Sequence, residues 1–396
     1  MTTRYGTGAG IADTGREAAR AAVTEAQETL GGADAEFAVV FSSTAYDYET
    51  VVETVRAETN DATLIGSSSA GEFTDAGATF ESVTVSLVAS DEMTFHVGLG
   101  RGLSDDLSGA VADAAAPLPE ADEGNPHRVG INLHDGLVGR GDEVAMLAYQ
   151  QRPMAYAGGS AADDMALEET YVFADDEVAT DAVALAAITA ERPFAQSVGH
   201  GHEPISEGFE VTAAEGSVVS ELDGRPAYEV WREAVREPAR RDYGVDVDAL
   251  TAEDDTFEDL LTKYEFGIKT ADEEYKVRWP GLTPSTDGPL HFATRMPEGT
   301  EVFVMDSTPE AQLEVASDVS RAARDDGEFE AAGALAFDCI CQAAILGDEF
   351  DGAVERMTDE LGVPLAGVET YGEVAMTGDD MRAYHNTTTS LILFPE

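Results

Sequence analysis

Apolar and polar positions along the chain fall into one series that occurs three times. Short β-type apolar runs stand at 39–43 (VVFSS), 129–133 (VGINL) and 334–338 (ALAFD). Each is followed by a segment whose apolar residues recur at three and four positions, at Tyr48–Glu58, at 142–150 and at Phe350–Leu361, which predicts three amphipathic helices. A stretch of small residues comes next: Gly66-Ser67-Ser68-Ser69-Ala70-Gly71-Glu72, then Gly158-Gly159-Ser160-Ala161-Ala162-Asp163, then Gly367-Val368-Glu369-Thr370-Tyr371-Gly372-Glu373. A further strand closes each copy, at 83–88, 183–188 and 387–394. The spacing is regular: 25 positions separate Phe41 from Gly66 and Leu133 from Gly158, and 30 separate Phe337 from Gly367.

Strand, helix and strand in succession imply a parallel pair with a right-handed crossover, which places the glycine turn at the carboxyl end of the second strand. Ligands bind at that end of open sheets. The predicted fold class is α/β, with α+β as the alternative: mixed sheets built from three repeats plus a hairpin-helix segment. That segment is 207–231, two alternating runs that turn at Asp223-Gly224 into a helix carrying Pro226 in its first turn. Residues 241–258, rich in Asp, read as a mobile insertion, and 290–305 as another hairpin. The second repeat closes near Arg192-Pro193, giving two domains, 1–192 and 193–396.

Composition adds a solvation argument. The chain has 78 acidic and 23 basic residues, a formal charge of −55, and only three lysines. Self-repulsion of that size requires screening, and the Debye length falls to about 3 Å in molar salt, so the balance fits a salt-accumulating halophile. With no basic patch, nucleic acid is not expected as a partner. No apolar run reaches the roughly 18 residues needed to span a bilayer, and no signal segment opens the chain, so no membrane and a cytoplasmic location are expected. Cys339 and Cys341 flank a single residue, which disfavours a disulfide between them and fits a reducing compartment.

The small-residue turns carry the candidate chemistry. Backbone N–H groups and serine hydroxyls in such a turn form an anion-holding concavity, and a terminal carboxylate accepts from an ammonium or hydroxyl. Together these groups suit a small zwitterion such as an amino acid. The candidate ligand residues are Ser68, Ser69, Gly71 and Glu72, then Gly158, Gly159, Ser160 and Asp163, then Cys339, Tyr371, Gly372 and Glu373. The same glycines equally serve a tight turn, and the carboxylates a cap. Gly158 to Ala162 narrowly misses the hydrolase nucleophile elbow, since Ala162 stands where glycine is required. A serine-dependent hydrolase or transferase acting through Ser160 with a neighbouring His and Asp is therefore the alternative. His134, His200, His202, His291 and His385 are scattered, with no zinc-protease pattern and no expected metal site.

The segments GSSSAGEF (66–73), GGSAADD (158–164), VTAAEGSVVSELDGRPAYEVW (211–231), MPEG (296–299), AFDCICQAAILG (336–347), LAGVETYGEVA (365–375) and HNTTTSLILF (385–394) resemble the FIST family of sensory proteins, in order and through nearly the whole chain. The resemblance implies a FIST N-terminal and a FIST C-terminal domain and a signal-transduction input module for small ligands such as amino acids; with the common catalytic signatures missing, no catalytic activity is expected, and a separate signalling protein is expected as partner. No resident cofactor is expected; the resemblance also brings in haem as an alternative. The chain departs from the family pattern at Phe337-Asp338-Cys339-Ile340-Cys341-Gln342, where an Arg often follows the strand.

Overall fold

The computed structural model describes residues 3–120, 124–270, 274–327, 329–376 and 383–396. They form an α/β structure in which three mixed sheets share one strand order. The first sheet runs Arg4–Gly10, Val83–Ala89, Phe37–Ser42, Thr63–Ser68, Val172–Ala174, Glu177–Ala179. The second runs Met93–Arg101, Ala182–Ala190, His127–His134, Ala155–Ser160, Glu373–Met376, Ala383–His385. The third runs Ala195–Gly199, Thr389–Pro395, Ala331–Cys339, Leu365–Thr370, Glu72–Thr74, Gly77–Thr79. At the centre of each is the parallel strand pair predicted from the repeat.

The last two strands of every sheet come from a different repeat. Glu72 pairs with Val368, Val172 with Ser67, and Glu373 with Gly159, so each repeat donates its hairpin to a neighbour and the three sheets close into a ring. Edges left by the parallel pairs are thereby covered. The sheets also cross residue 192, since 72–79 belong to the third sheet and 373–385 to the second.

Phe37, Val39 and Phe41, with Ile131, Leu133, Leu335, Phe337, Ile392 and their neighbours, fill one core at the middle of the ring. The outer faces pack under helices. Ala18, Ala22 and Ala26 of Gly15–Leu30 cover the first sheet, Leu107 and Val111 of Leu103–Ala115 with Val144 cover the second, and Val319 and Met357, from Pro309–Asp326 and Phe350–Leu361, cover the third. The helix starts are set locally: Thr14 caps Gly15–Leu30 by accepting from Glu17 N, Asp47 caps Tyr48–Glu58, and Thr308 caps Pro309–Asp326 with Pro309 in the first turn.

The repeated glycines lie inside strands, not in turns. A Cβ on Gly66 would sit 2.1 Å from Val40 O, and one on Gly158, at φ 147°, would sit 2.0 Å from Asn132 O. Their absent side chains let the parallel strands and the donated hairpin close up.

A fourth sheet, including Phe209–Glu215, Val218–Leu222, Phe266–Lys269, Tyr275–Arg278 and Glu301–Ser307, packs on helices Ala227–Asp242 and Asp255–Lys263 around Trp231, Phe257 and Phe266. Here three expectations change. Pro226 precedes the helix, which begins at Ala227. Residues 241–258 run from the end of the helix Ala227–Asp242 through a short 3-10 turn at Val247–Ala249 into the helix Asp255–Lys263, and Val247 and Phe257 bury fully into this core. Residues 290–305 do not form a hairpin: Leu290–His291 pairs with Val218–Leu222, whereas Glu301–Ser307 pairs with other strands.

Candidate functional site

The parallel strands end at one rim of the ring, and the fourth unit covers part of it. Between them lies a cavity of about 350 Å³. Its wall comes from the loop after the strand His127–His134 (Asp135, Gly136, Leu137, Gly139 and Gly141), from Met165 and Leu167, from Trp279, Leu282 and Ala293 of the fourth unit, and from Cys339, Ile340 and Cys341. His134, Ser160, Tyr371, Tyr384 and Asn386 supply much of its polar surface.

Of the twelve candidate residues, Ser160, Cys339 and Tyr371 meet on this cavity. Asp163 stands one layer back. Its carboxylate accepts from Leu167, Glu168 and Glu169 N–H at 2.9, 2.7 and 2.9 Å and from Tyr371 OH at 2.5 Å, so it anchors the loop carrying Met165 and Leu167. Gly372, at φ 146°, leaves room for Tyr384 OH, and a Cβ on Gly159 would strike Thr370. Ser68 accepts from Tyr171 N at 3.0 Å, away from the cavity. Ser69 and Ser82 both donate to the Glu72 carboxyl, which is fully buried; burial pushes that group up to about 7 against the lowering effect of the two hydroxyls. Glu373 accepts from Thr370 Oγ1 at 2.8 Å and is pushed well up, first by burial and then by the nearby Cys339. Gly71 lies against the Glu369 carboxyl.

Residues outside that set complete the cavity. Ser160 Oγ is 2.9 Å from His134 Nε2 and 2.7 Å from Tyr384 OH, and His134 Nδ1 is 3.1 Å from Asn132 Oδ1. An amide oxygen only accepts, so Nδ1 carries the imidazole proton and Nε2 accepts from Ser160. Burial pushes His134 down to about 3, which keeps it neutral. The sequence did hold a signal for this pair. The equal spacing of 25 in the first two repeats aligns the parallel strands so that His134 stands opposite Ser160. Trp279, Tyr384 and Asn386 carry no such signal, because they reach the cavity from remote segments.

Electrostatics around the cavity are mixed. Arg278 is buried, donates to Tyr384 O at 3.2 Å and has no ion-pair partner among the described residues; burial lowers it to about 10, which leaves it charged. Asp338 and Glu369 face each other across the third parallel pair, and both Glu369 carboxylate oxygens are buried with no hydrogen-bond partner among the described residues. Burial raises both groups, Asp338 to about 7. Among the described residues no cluster of three His, Cys, Asp or Glu is arranged to hold a metal. Of the lining residues that could ligate a haem iron, His134 has its Nε2 engaged by Ser160, and burial holds the Cys339 thiol protonated. No helix among the described residues is long and apolar enough to cross a membrane.

Fold and site together define a ring-shaped α/β protein with a partly open cavity sized for a small ligand at its strand ends. Models of the FIST N domain and the FIST C domain match residues 36–225 and 227–376, and the chain belongs to the FIST family. Domains of this family are in general sensor modules of signal transduction. The chain is also 29% identical over 139 residues to a protein of Methanocaldococcus jannaschii described only as uncharacterized, a match spanning 35% of this chain and 26% of that protein. A solved structure described as cyanuric acid hydrolase aligns over 100% of both chains with 9% identity and a TM-score of 0.34, too weak a likeness to bear on fold or function.

Proposed function

We propose that the chain is a cytoplasmic sensor that binds a small zwitterion such as an amino acid in the 350 Å³ cavity and passes the signal to a separate protein. One observation carries this reading: the cavity is walled jointly by the ring and by Trp279, Leu282 and Ala293 of the fourth unit, so an occupant touches both. A ligand that prefers one arrangement of the two units shifts their equilibrium by its difference in affinity. Arg278, buried behind Tyr384 with no ion-pair partner among the described residues and with the Asp142 carboxylate acting on its charge, favours an anionic end on the ligand, and the Tyr384, Asn386 and Ser160 side chains offer hydrogen bonds to it. Thermal denaturation in molar KCl with a panel of amino acids and small carboxylates tests the reading. A ligand at about 100 times its Kd stabilises by about 2.7 kcal/mol, and a panel without any shift removes the proposed ligand class.

A further inference from the structure

The three parallel pairs carry equivalent positions at their carboxyl ends: Ser42 opposite Ser68, His134 opposite Ser160, and Asp338 opposite Glu369. In the first, Ser68 accepts from the Tyr171 N–H and lies beside the Tyr48 hydroxyl, and its strand partner is a second serine where the second pair has an imidazole. The third holds two carboxyls and no hydroxyl. Only the second joins a hydroxyl to an imidazole, and only there do both side chains border the 350 Å³ cavity. Asn132 fixes the imidazole so that its free nitrogen faces the serine, which is the nucleophile, base and orienting group arrangement that activates a hydroxyl.

We infer that Ser160 is an acylatable nucleophile, with His134 as its base, and that the cavity accepts activated carboxylic esters or thioesters bearing a short apolar acyl group. Leu137, Met165, Leu167, Trp279 and Leu282 provide the apolar surface for that group. In the first step Ser160 Oγ bonds to the acyl carbon while its proton passes to His134 Nε2. Tyr384 OH, 2.7 Å from Oγ and 3.2 Å from Tyr371 O, is the nearest side-chain donor and turns from that carbonyl to meet the oxyanion that forms. Collapse of the intermediate breaks the bond to the leaving alcohol or thiol, which takes the proton from His134. Water then attacks the acyl-serine, giving a proton to His134 that returns to Ser160 as the acid departs. The net reaction is hydrolysis of the ester. Asn132 supplies no charge to the imidazolium, and burial disfavours that cation, so both half-reactions are slow; with an ester whose leaving group is good, acylation outpaces hydrolysis of the acyl-serine, which accumulates.

The experiment incubates the full chain with p-nitrophenyl acetate, and separately with a fluorophosphonate, followed by intact mass and peptide mapping. One acetyl per chain on Ser160 is expected, none in Ser160→Ala, and an acylation rate lowered at least about 100-fold in His134→Gln, the usual contribution of a general base. Asn132 is a positioning residue; Asn132→Asp places an anion behind the imidazole and raises the rate with a shifted pH profile, which a merely structural role would not do. Labelling at other residues, no labelling, or equal rates in wild type and a folded His134→Gln overturns the inference. Where His134→Gln fails to fold, site mapping and Ser160→Ala decide, because that change removes a single hydroxyl. Reversible amino-acid binding is measured separately, so either reading can fail alone.

Discussion

Glu72 offers a quantitative test of how the ring handles buried carboxyls. It is fully buried, and each of its oxygens faces a serine hydroxyl, yet burial outweighs those bonds and pushes it up to about 7 from an ordinary 4.5. Below the unfolded value the carboxyl is protonated in both states and favours neither. As pH rises past that value the unfolded chain ionises first, so stability falls until the folded group also ionises near pH 7. Glu72→Gln keeps the shape, and its amide serves both serines without titrating. At about 1.4 kcal/mol per pH unit, the variant should gain under about 1 kcal/mol over wild type at pH 5 and about 3 kcal/mol at pH 8. Urea denaturation in constant KCl, followed by far-UV circular dichroism, reads this difference. The sequence pI of 4.1 sets the lower limit of the pH range. A difference that stays flat from pH 5 to 8 would refute the reasoning.

Two further outcomes follow from packing and charge. Gly66→Ala drives a Cβ to 2.1 Å from Val40 O and should cost about 3 kcal/mol or more. Gly352→Ala, whose Cβ meets only Leu313 at 3.5 Å on a helix, should stabilise by up to about 1 kcal/mol; equal denaturation midpoints for the two variants would contradict the close-approach argument. The formal charge of −55 predicts that the melting temperature climbs between 0.1 and 2 M KCl, and a salt-independent melt would remove the halophile reading.

The local features were legible in the chain. Tyr48–Glu58 and Phe350–Leu361 form with the predicted bounds, because a three-and-four apolar rhythm meets a cap at Asp47 in one and stops at Gly362 in the other. The repeat spacing also placed Gly66, Gly158 and Gly367 at equivalent points. Exchange of hairpins among the three sheets was hidden, since Glu72 finds its partner at Val368, nearly 300 residues on, and no pattern of alternation encodes which edge a hairpin joins. Asp163 resembles Glu72 and Glu373 in sequence, but eight more residues follow Ser160 before its hairpin than follow Ser68. Val172 therefore takes the paired position, and Asp163 anchors the intervening loop. Residues 290–305 show alternation without disclosing that their two strands pair elsewhere. The cavity itself depends on Trp279, Tyr384 and Asn386, whose meeting is set by tertiary packing alone.

The most direct measurement is thermal denaturation of wild type and Leu137→Trp, each with and without the best-binding amino acid of the panel. Leu137 lines the cavity and is 38% exposed, so a larger ring there fills the space without entering the core. The account predicts that the ligand raises the wild-type melting temperature and leaves the variant's unchanged, while the two proteins melt alike without ligand. Equal stabilisation of both would place the binding elsewhere and contradict the account.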